Sequence, residues 1–151
     1  MFVKEFVIQK NCEMGSASGC WSDDNNGIYK SLNNDDWYDW NGNTMHHHTM
    51  RLSDGMSASI YGYSEYQNFG NSEPLQNIFG VSYFDVNGDK GPNTFGKDVF
   101  AFWITRYGIV PFGTPDETRF PLSDCKVYGH GCAAWVITKG NMDYLHKDVS
   151  W

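Results

Sequence analysis

The sequence predicts one α+β domain, an antiparallel sheet with a helix packed against it at the N-terminal end. Three observations predict it. Apolar residues near the start recur with helical spacing, whereas from residue 50 onward they recur at every second position. Gly, Asn, Ser and Asp are abundant between the apolar runs, which favours short strands joined by turns. The 151 residues fit one domain, and 40% hydrophobic with 17% aromatic content is too apolar for a disordered chain.

At the N-terminus, residues 1–10 end in FVKEFVIQK. Phe2, Val3, Phe6 and Val7 stand at i, i+1, i+4 and i+5, which paints one face of a helix. No N-cap precedes them, so the segment reads as the remnant of a longer helix; a first strand fits the same residues. Residues 11–49 read as a connecting region, rich in turn formers at SDDNNG and LNNDDWYDWNGN. A connection of this length is usually functional or carries small structure of its own. Trp37, Tyr38 and Trp40 within it form a binding patch for a sugar or a protein if exposed, and a plug for the core if folded back. The His46–His48 run cannot turn all three rings onto one metal if it is a strand, because neighbours alternate.

Residues 50–151 carry the sheet and a C-terminal cysteine region. MRLSDGMSASIYGY has two extended arms about Ser53-Asp54-Gly55, a hairpin signal. Residues 77–86 follow as a strand, with Ile78, Gly80, Ser82 and Phe84 on one face and Phe79, Val81, Tyr83 and Asp85 on the other. Residues 98–105 and 108–112 are two more strands, joined by a turn at Arg106-Tyr107-Gly108. Near the end, Ala133-Ala134 favours helix and Trp135-Val136-Ile137 favours strand, and Gly140 with Asn141 stops either.

The four cysteines form two local pairs, Cys12 with Cys20 and Cys125 with Cys132. Four cysteines allow three pairings, and the short loops favour these two. Each disulfide would restrain the unfolded chain by roughly 2–3 kcal/mol. Free thiols and zinc are the alternatives, but neither pair has the gap of about two to four residues that zinc modules use. Disulfides imply an oxidising compartment and an exported protein.

A net charge of −7 without a basic patch excludes nucleic acid as a partner. No apolar run approaches the roughly 20 residues of a membrane-spanning helix, and MFVKEFVIQK is too short and too charged for a signal peptide. Nor is an enzyme expected, since GxSxG, HExxH and phosphate-cradling loops are all missing from the sequence. Ser123-Asp124 and His130 are close along the chain, but only geometry defines a triad. The acid pairs at 23–24 and 35–36 read as solvated turn residues.

One stretch points to a metal. DVNGDKGPN, residues 85–93, packs four oxygen-bearing side chains and two glycines between two strands. Calcium takes about six to eight oxygens, many from carboxylates and backbone carbonyls. Asp85, Asn87 and Asp89 alternate and can converge in a curled loop, and Asp98 can close the site from the next strand. It is no EF-hand, because the sixth and twelfth positions from Asp85 are Lys90 and Gly96. A polar turn in which Asp and Asn cap their own backbone is the alternative.

DVNGDKGPNTFGKDVFAFWIT, GIVPFG and GHGCAAWVITKGNMDYL together resemble the C-terminal part of bacterial type IV pilin-like proteins, including the pseudopilins of type II secretion. The resemblance runs from Leu52 to Leu145. Earlier residues match only in outline, by a helix, a cysteine pair and Tyr29-Lys30-Ser31-Leu32. It implies a pilin-like head whose long N-terminal helix anchors in the inner membrane and builds a filament with copies of itself or other pilin-like subunits. The apolar half of that helix is missing, so Met1-Phe2 would be a start inside it. The resemblance also implies calcium in the loop before the last strands, with Asp85, Asn87, Asp89 and Asp98 as ligands. The expected function is a structural subunit of a type IV pilus or type II secretion filament, periplasmic or at the cell surface. The alternative is a secreted, calcium-stabilised module binding carbohydrate or protein through its aromatic loop.

Overall fold

The computed structural model describes residues 7–12, 19–21, 29–37 and 47–151. Period-two patterning produces an antiparallel meander: β1 (Ile8–Cys12), β2 (His48–Leu52), β3 (Ser57–Gln67), β4 (Ile78–Asp85), β5 (Val99–Thr105) and β6 (Gly108–Pro111). The six strands lie in one sheet in chain order. The β2–β3 hairpin turns where Asp54-Gly55 stands. Gly55 takes φ +90°, and Asp54 accepts the Met56 N–H at 3.0 Å.

The helix expected over residues 2–10, and with it the pilin-like helix-on-sheet class, is corrected by β1. Residues 8–12 are an edge strand, with Ile8 opposite Leu52 and Cys12 opposite Thr49. Val7, a member of the supposed helical face, is 62% exposed, so no apolar face is buried there. The backbone ladder to β2 and the Cys12–Cys20 disulfide hold this segment instead. Phe2, Val3 and Phe6 lie outside the described residues. Among the described residues only α2 (Ala133–Lys139) reaches seven residues as a helix, and none is long and apolar enough to cross a membrane.

One face of the sheet carries Val81, Val99, Ala101 and Trp103 into the core, where Trp21, Tyr29, Trp37, Leu75, Phe95 and Phe112 cover them. A register irregularity between Ile78 and Gly80 departs from strict alternation. It turns Ile78 into the core and leaves Phe79 exposed. On the opposite face, Phe84 meets Phe102 edge-on at 5.5 Å.

Beyond β6 the chain builds a second cluster from Leu122, Cys125, Cys132, Trp135, Tyr144 and Val149. It contains α1 (Leu122–Val127), a short helix with no counterpart in the sequence reading, and α2. Helix wins over strand at 133–139 because Ala133, Ala134 and Trp135 bury together, while Ile137 faces out. Gly140 ends the helix at φ +68° and donates to Val136 O. The Cys125–Cys132 disulfide closes this lobe.

The lobe meets the sheet through bare backbone. A Cβ at Gly113, where φ is +84°, would lie 1.8 Å from Gly131 O. Gly113→Ala should therefore destabilise the protein by about 3 kcal/mol or more, through both the clash and the left-handed backbone. Urea unfolding of wild type and variant measures it.

Candidate metal centre

β4 ends at Asp85 and β5 starts at Val99, directly opposite. The intervening loop is drawn tight by its own backbone. Val86 N–H donates to Asp98 O at 2.9 Å and Asp98 N–H to Thr94 O at 3.2 Å. Gly88, Asn93 and Gly96 take positive φ, which lets the loop curl back on itself.

The curl faces two carboxylates inward. Asp85 is fully buried and Asp98 nearly so. Asp98 accepts the N–H groups of Asn93 at 2.8 Å and Thr94 at 2.6 Å. Asp85 accepts the Asn87 N–H at 3.3 Å through Oδ1 and the Tyr29 hydroxyl through Oδ2. Among the described residues no ion pair reaches either carboxylate. Burial, joined by the Asp98 charge, pushes the Asp85 carboxyl up to about 6, against the hydrogen bonds from Tyr29 and the Asn87 and Gly88 N–H groups.

Two amides complete the cluster. One end of the Asn87 amide lies 2.8 Å from Asp85 Oδ1, 2.8 Å from Lys90 O and 3.2 Å from Asp98 Oδ2. One end of the Asn93 amide lies 3.3 Å from Asp85 Oδ2 and 3.0 Å from Lys90 O. Every one of these neighbours is an acceptor. Two chemical solutions follow. With the NH2 ends inward, the amides donate to the carboxylates. With the oxygens inward, Asn87 Nδ2 donates outward to Gly91 O at 3.3 Å, and a cation must supply the missing positive charge.

The second solution gives Asp85 Oδ1 and Oδ2, Asn87 Oδ1, Lys90 O, Asn93 Oδ1 and Asp98 Oδ2. That all-oxygen set matches the number and hardness calcium prefers. Oxygens roughly 3 Å apart are also spaced as neighbouring vertices of a shell about 2.3–2.6 Å from a central ion. No group of three or more His, Cys, Asp or Glu side chains converges among the described residues, so the fit rests on amide and carbonyl oxygens as much as on carboxylates.

Of the residues read from the sequence as ligands, the structure brings Asp85, Asn87 and Asp98 together and sets Asp89 apart. Asp89 is 63% exposed and pairs with Arg51 at 2.7 Å. That pair lies in a surface depression of about 350 Å³, which Asp54, Val86 and Lys90 also line. Arg51 reaches it from β2 because Gly19 O and Gly55 O orient its guanidinium. Asn93, the Lys90 carbonyl and Tyr29 were not singled out. Asn93 stood in the quoted stretch, but its place depends on how the chain returns past Pro92. Tyr29 arrives from a segment 56 positions away in sequence.

Trp37 is buried and packs edge-on against Tyr83 at 5.4 Å and tilted against Phe95 at 5.2 Å, as the plug rather than a patch. Tyr38 and Trp40 lie outside the described residues. His47 is buried between Tyr61 and Tyr83, and His48 bonds Asn11. All four cysteines are disulfide-bonded, Cys12 to Cys20 and Cys125 to Cys132, which is compatible with an exported protein or an oxidising compartment.

Two other polar groupings have structural explanations. His130 Nε2 lies 3.3 Å from Ser31 Oγ and its Nδ1 lies 3.5 Å from Asp124 Oδ2. The order resembles a nucleophile relay, but Ser31 is buried. Its N–H and that of Leu32 already donate to Asp35 O and Tyr128 O, so neither can serve an oxyanion. Glu117, buried, accepts Trp103 Nε1–H, Gly113 N–H and Phe120 N–H and pins residues 113–120 to β5. Burial pushes its carboxyl up to about 7 despite those donors.

Fold and loop together define a disulfide-braced antiparallel β-domain with a buried oxygen cluster at one end of its sheet. No family model, curated protein or solved structure matches this chain, so nothing identifies it with a pilin family.

Asp85 and Glu117 hold their protons more tightly folded than unfolded. Each therefore contributes stability that is present at low pH and lost as pH rises through its folded value. In chelator, the thermal midpoint should rise as pH is lowered from about 7 to about 5. Asp85→Asn should remove the part of that rise near pH 6, and Glu117→Gln the part near pH 7. Calorimetric scans across that range measure both.

Proposed function

We propose that the protein is a structural subunit of an exported assembly, a small β-domain braced by calcium at the β4–β5 loop and by two disulfides. The observation that carries this reading is the convergence of the Asp85 and Asp98 carboxylates, Lys90 O and the Asn87 and Asn93 amides in one buried cluster. A catalytic centre would need an open cleft and a reacting group within reach, whereas both carboxylates of this cluster are buried. An ion there ties the loop to both flanking strands and stiffens the end of the sheet, which serves a subunit packing against neighbours.

The kind of assembly comes from the local sequence resemblance between Leu52 and Leu145, which points to a filament of the type IV pilus or type II secretion sort. Copies of the same chain or other pilin-like subunits would be the partners. Exposed Ile60 on β3 and Ile109 on β6 supply apolar surface for such contacts. The second reading, a secreted module binding through its aromatic loop, is weakened because Trp37 is in the core.

Calcium at about 100 times its dissociation constant should add about 2.7 kcal/mol of stability, and so raise the melting midpoint by about 5–10 °C near neutral pH. Asp85→Ala and Asp98→Ala should lose this gain, whereas Asp89→Ala should keep it. An unchanged midpoint with calcium removes the ion from the reading. Sedimentation of the calcium-loaded chain tests the subunit role, with concentration-dependent association expected.

A further inference from the structure

The oxygen cluster is joined to a segment far from it in sequence. Tyr29 donates its hydroxyl proton to Asp85 Oδ2. Next to it, Lys30 N–H donates to Asn93 O at 3.0 Å, and Phe95 N–H donates to Lys30 O at 2.9 Å. Lys30 thus lies parallel to Thr94, as a one-bridge extension of the loop itself. Trp37 N–H returns to Tyr29 O at 2.8 Å, closing residues 29–37 on themselves. Leu32 N–H then donates to Tyr128 O at 2.8 Å, inside the lobe closed by Cys125–Cys132. Loop, segment and lobe form one hydrogen-bonded chain with the cluster at its head.

A second observation points to a ligand at that head. Ser57 stands directly opposite Asp85 on β3, on the same face of the sheet. It is fully buried, and among the described residues its hydroxyl, like those of Thr49 and Ser59, has no hydrogen-bond partner. A buried hydroxyl left unanswered beside a buried carboxylate marks a polar site that the protein's own groups do not complete.

We infer that cation occupancy of the Asp85–Asp98 cluster latches residues 29–37 onto the loop, with Tyr29, bonded to Asp85, as the positioning residue. The inference rests on the calcium reading above and adds a regulatory consequence to it. With an ion present, Asp85 is held in place and accepts the Tyr29 proton in a charge-assisted hydrogen bond. Without the ion, Asp85 and Asp98 repel, the amides turn their NH2 ends inward, and the backbone at Asn93–Phe95 loses the restraint that holds Lys30. By linkage, seating the segment raises cation affinity by the same factor as the cation raises seating.

Hydrogen exchange of the whole chain in saturating calcium and in chelator, run beside a calorimetric calcium titration, tests this. Calcium should slow exchange at the Lys30, Leu32 and Trp37 amides by about tenfold or more, and by more than at Phe102 in β5. Tyr29→Phe keeps the ring stacked on Trp21, 5.0 Å away, and removes only the donor. It should still bind calcium, about fivefold more weakly or worse, and should lose the calcium-driven slowing over residues 29–37. Calcium binding without any change at residues 29–37 overturns the latch and leaves the calcium reading standing. No binding at all overturns both. A Tyr29→Phe variant that responds as wild type does overturns the role given to Tyr29.

Discussion

Two carboxylates, Asp85 and Asp98, are removed from water at the end of the sheet, and among the described residues no ion pair reaches either. Burying charge in this way is costly unless something answers it. Much of the surrounding architecture is an answer. Backbone N–H groups at Asn87, Asn93 and Thr94 turn toward the carboxylates, Tyr29 comes from another part of the chain to donate, and two asparagine amides close over them. The tight curl of residues 86–98 is the shape needed to bring those groups together. Glycine at positions 88 and 96 permits it, because both take positive φ.

The sheet makes this arrangement rigid. β4 and β5 pair inside the sheet, with Val81 against Trp103 and Tyr83 against Ala101. Asp85 and Val99 are the last rung of that ladder, so the loop starts and ends on paired backbone. The covering layer is aromatic. Trp21 stacks on Tyr29, Trp37 packs on Phe95, and Phe112 lies over Trp103 at 4.1 Å. Glu117 performs elsewhere what Asp98 performs at the loop. It satisfies an indole and two backbone donors at once and holds the connection to the C-terminal lobe.

The disulfides act at the margins of this scheme. Cys12–Cys20 secures an edge strand whose residues 8–11 are all exposed, and Cys125–Cys132 closes a lobe of short helices that could not stand alone. A small domain with such short elements gains from covalent and ionic staples because its core is limited in extent. The Arg51–Asp89 pair contributes less, since its Asp89 side is open to water and screened.

Local patterning by itself determined the strands from β2 to β6, because alternation and Asp-Gly or Gly-bounded turns are properties of neighbouring residues. It also determined that Asp85, Asn87 and Asp98 were chemically suited to share a site. Four things needed the tertiary structure. Residues 8–12 became a strand because β2 offered an unpaired edge, a partner 40 residues away that helical spacing at Val7 could not reveal. The C-terminal stretch became helix because Trp135 found a cluster to bury in, which propensity could not weigh. Asp89 stands apart from Asp85 and Asp98 because it pairs with Arg51 of β2. Tyr29 and Ser57 joined the site's surroundings through contacts 56 and 28 positions apart, beyond the reach of any local pattern. Short-range periodicity specifies what a segment can become, and long-range packing decides which carboxylate is buried, which is solvated, and therefore where charge must be answered.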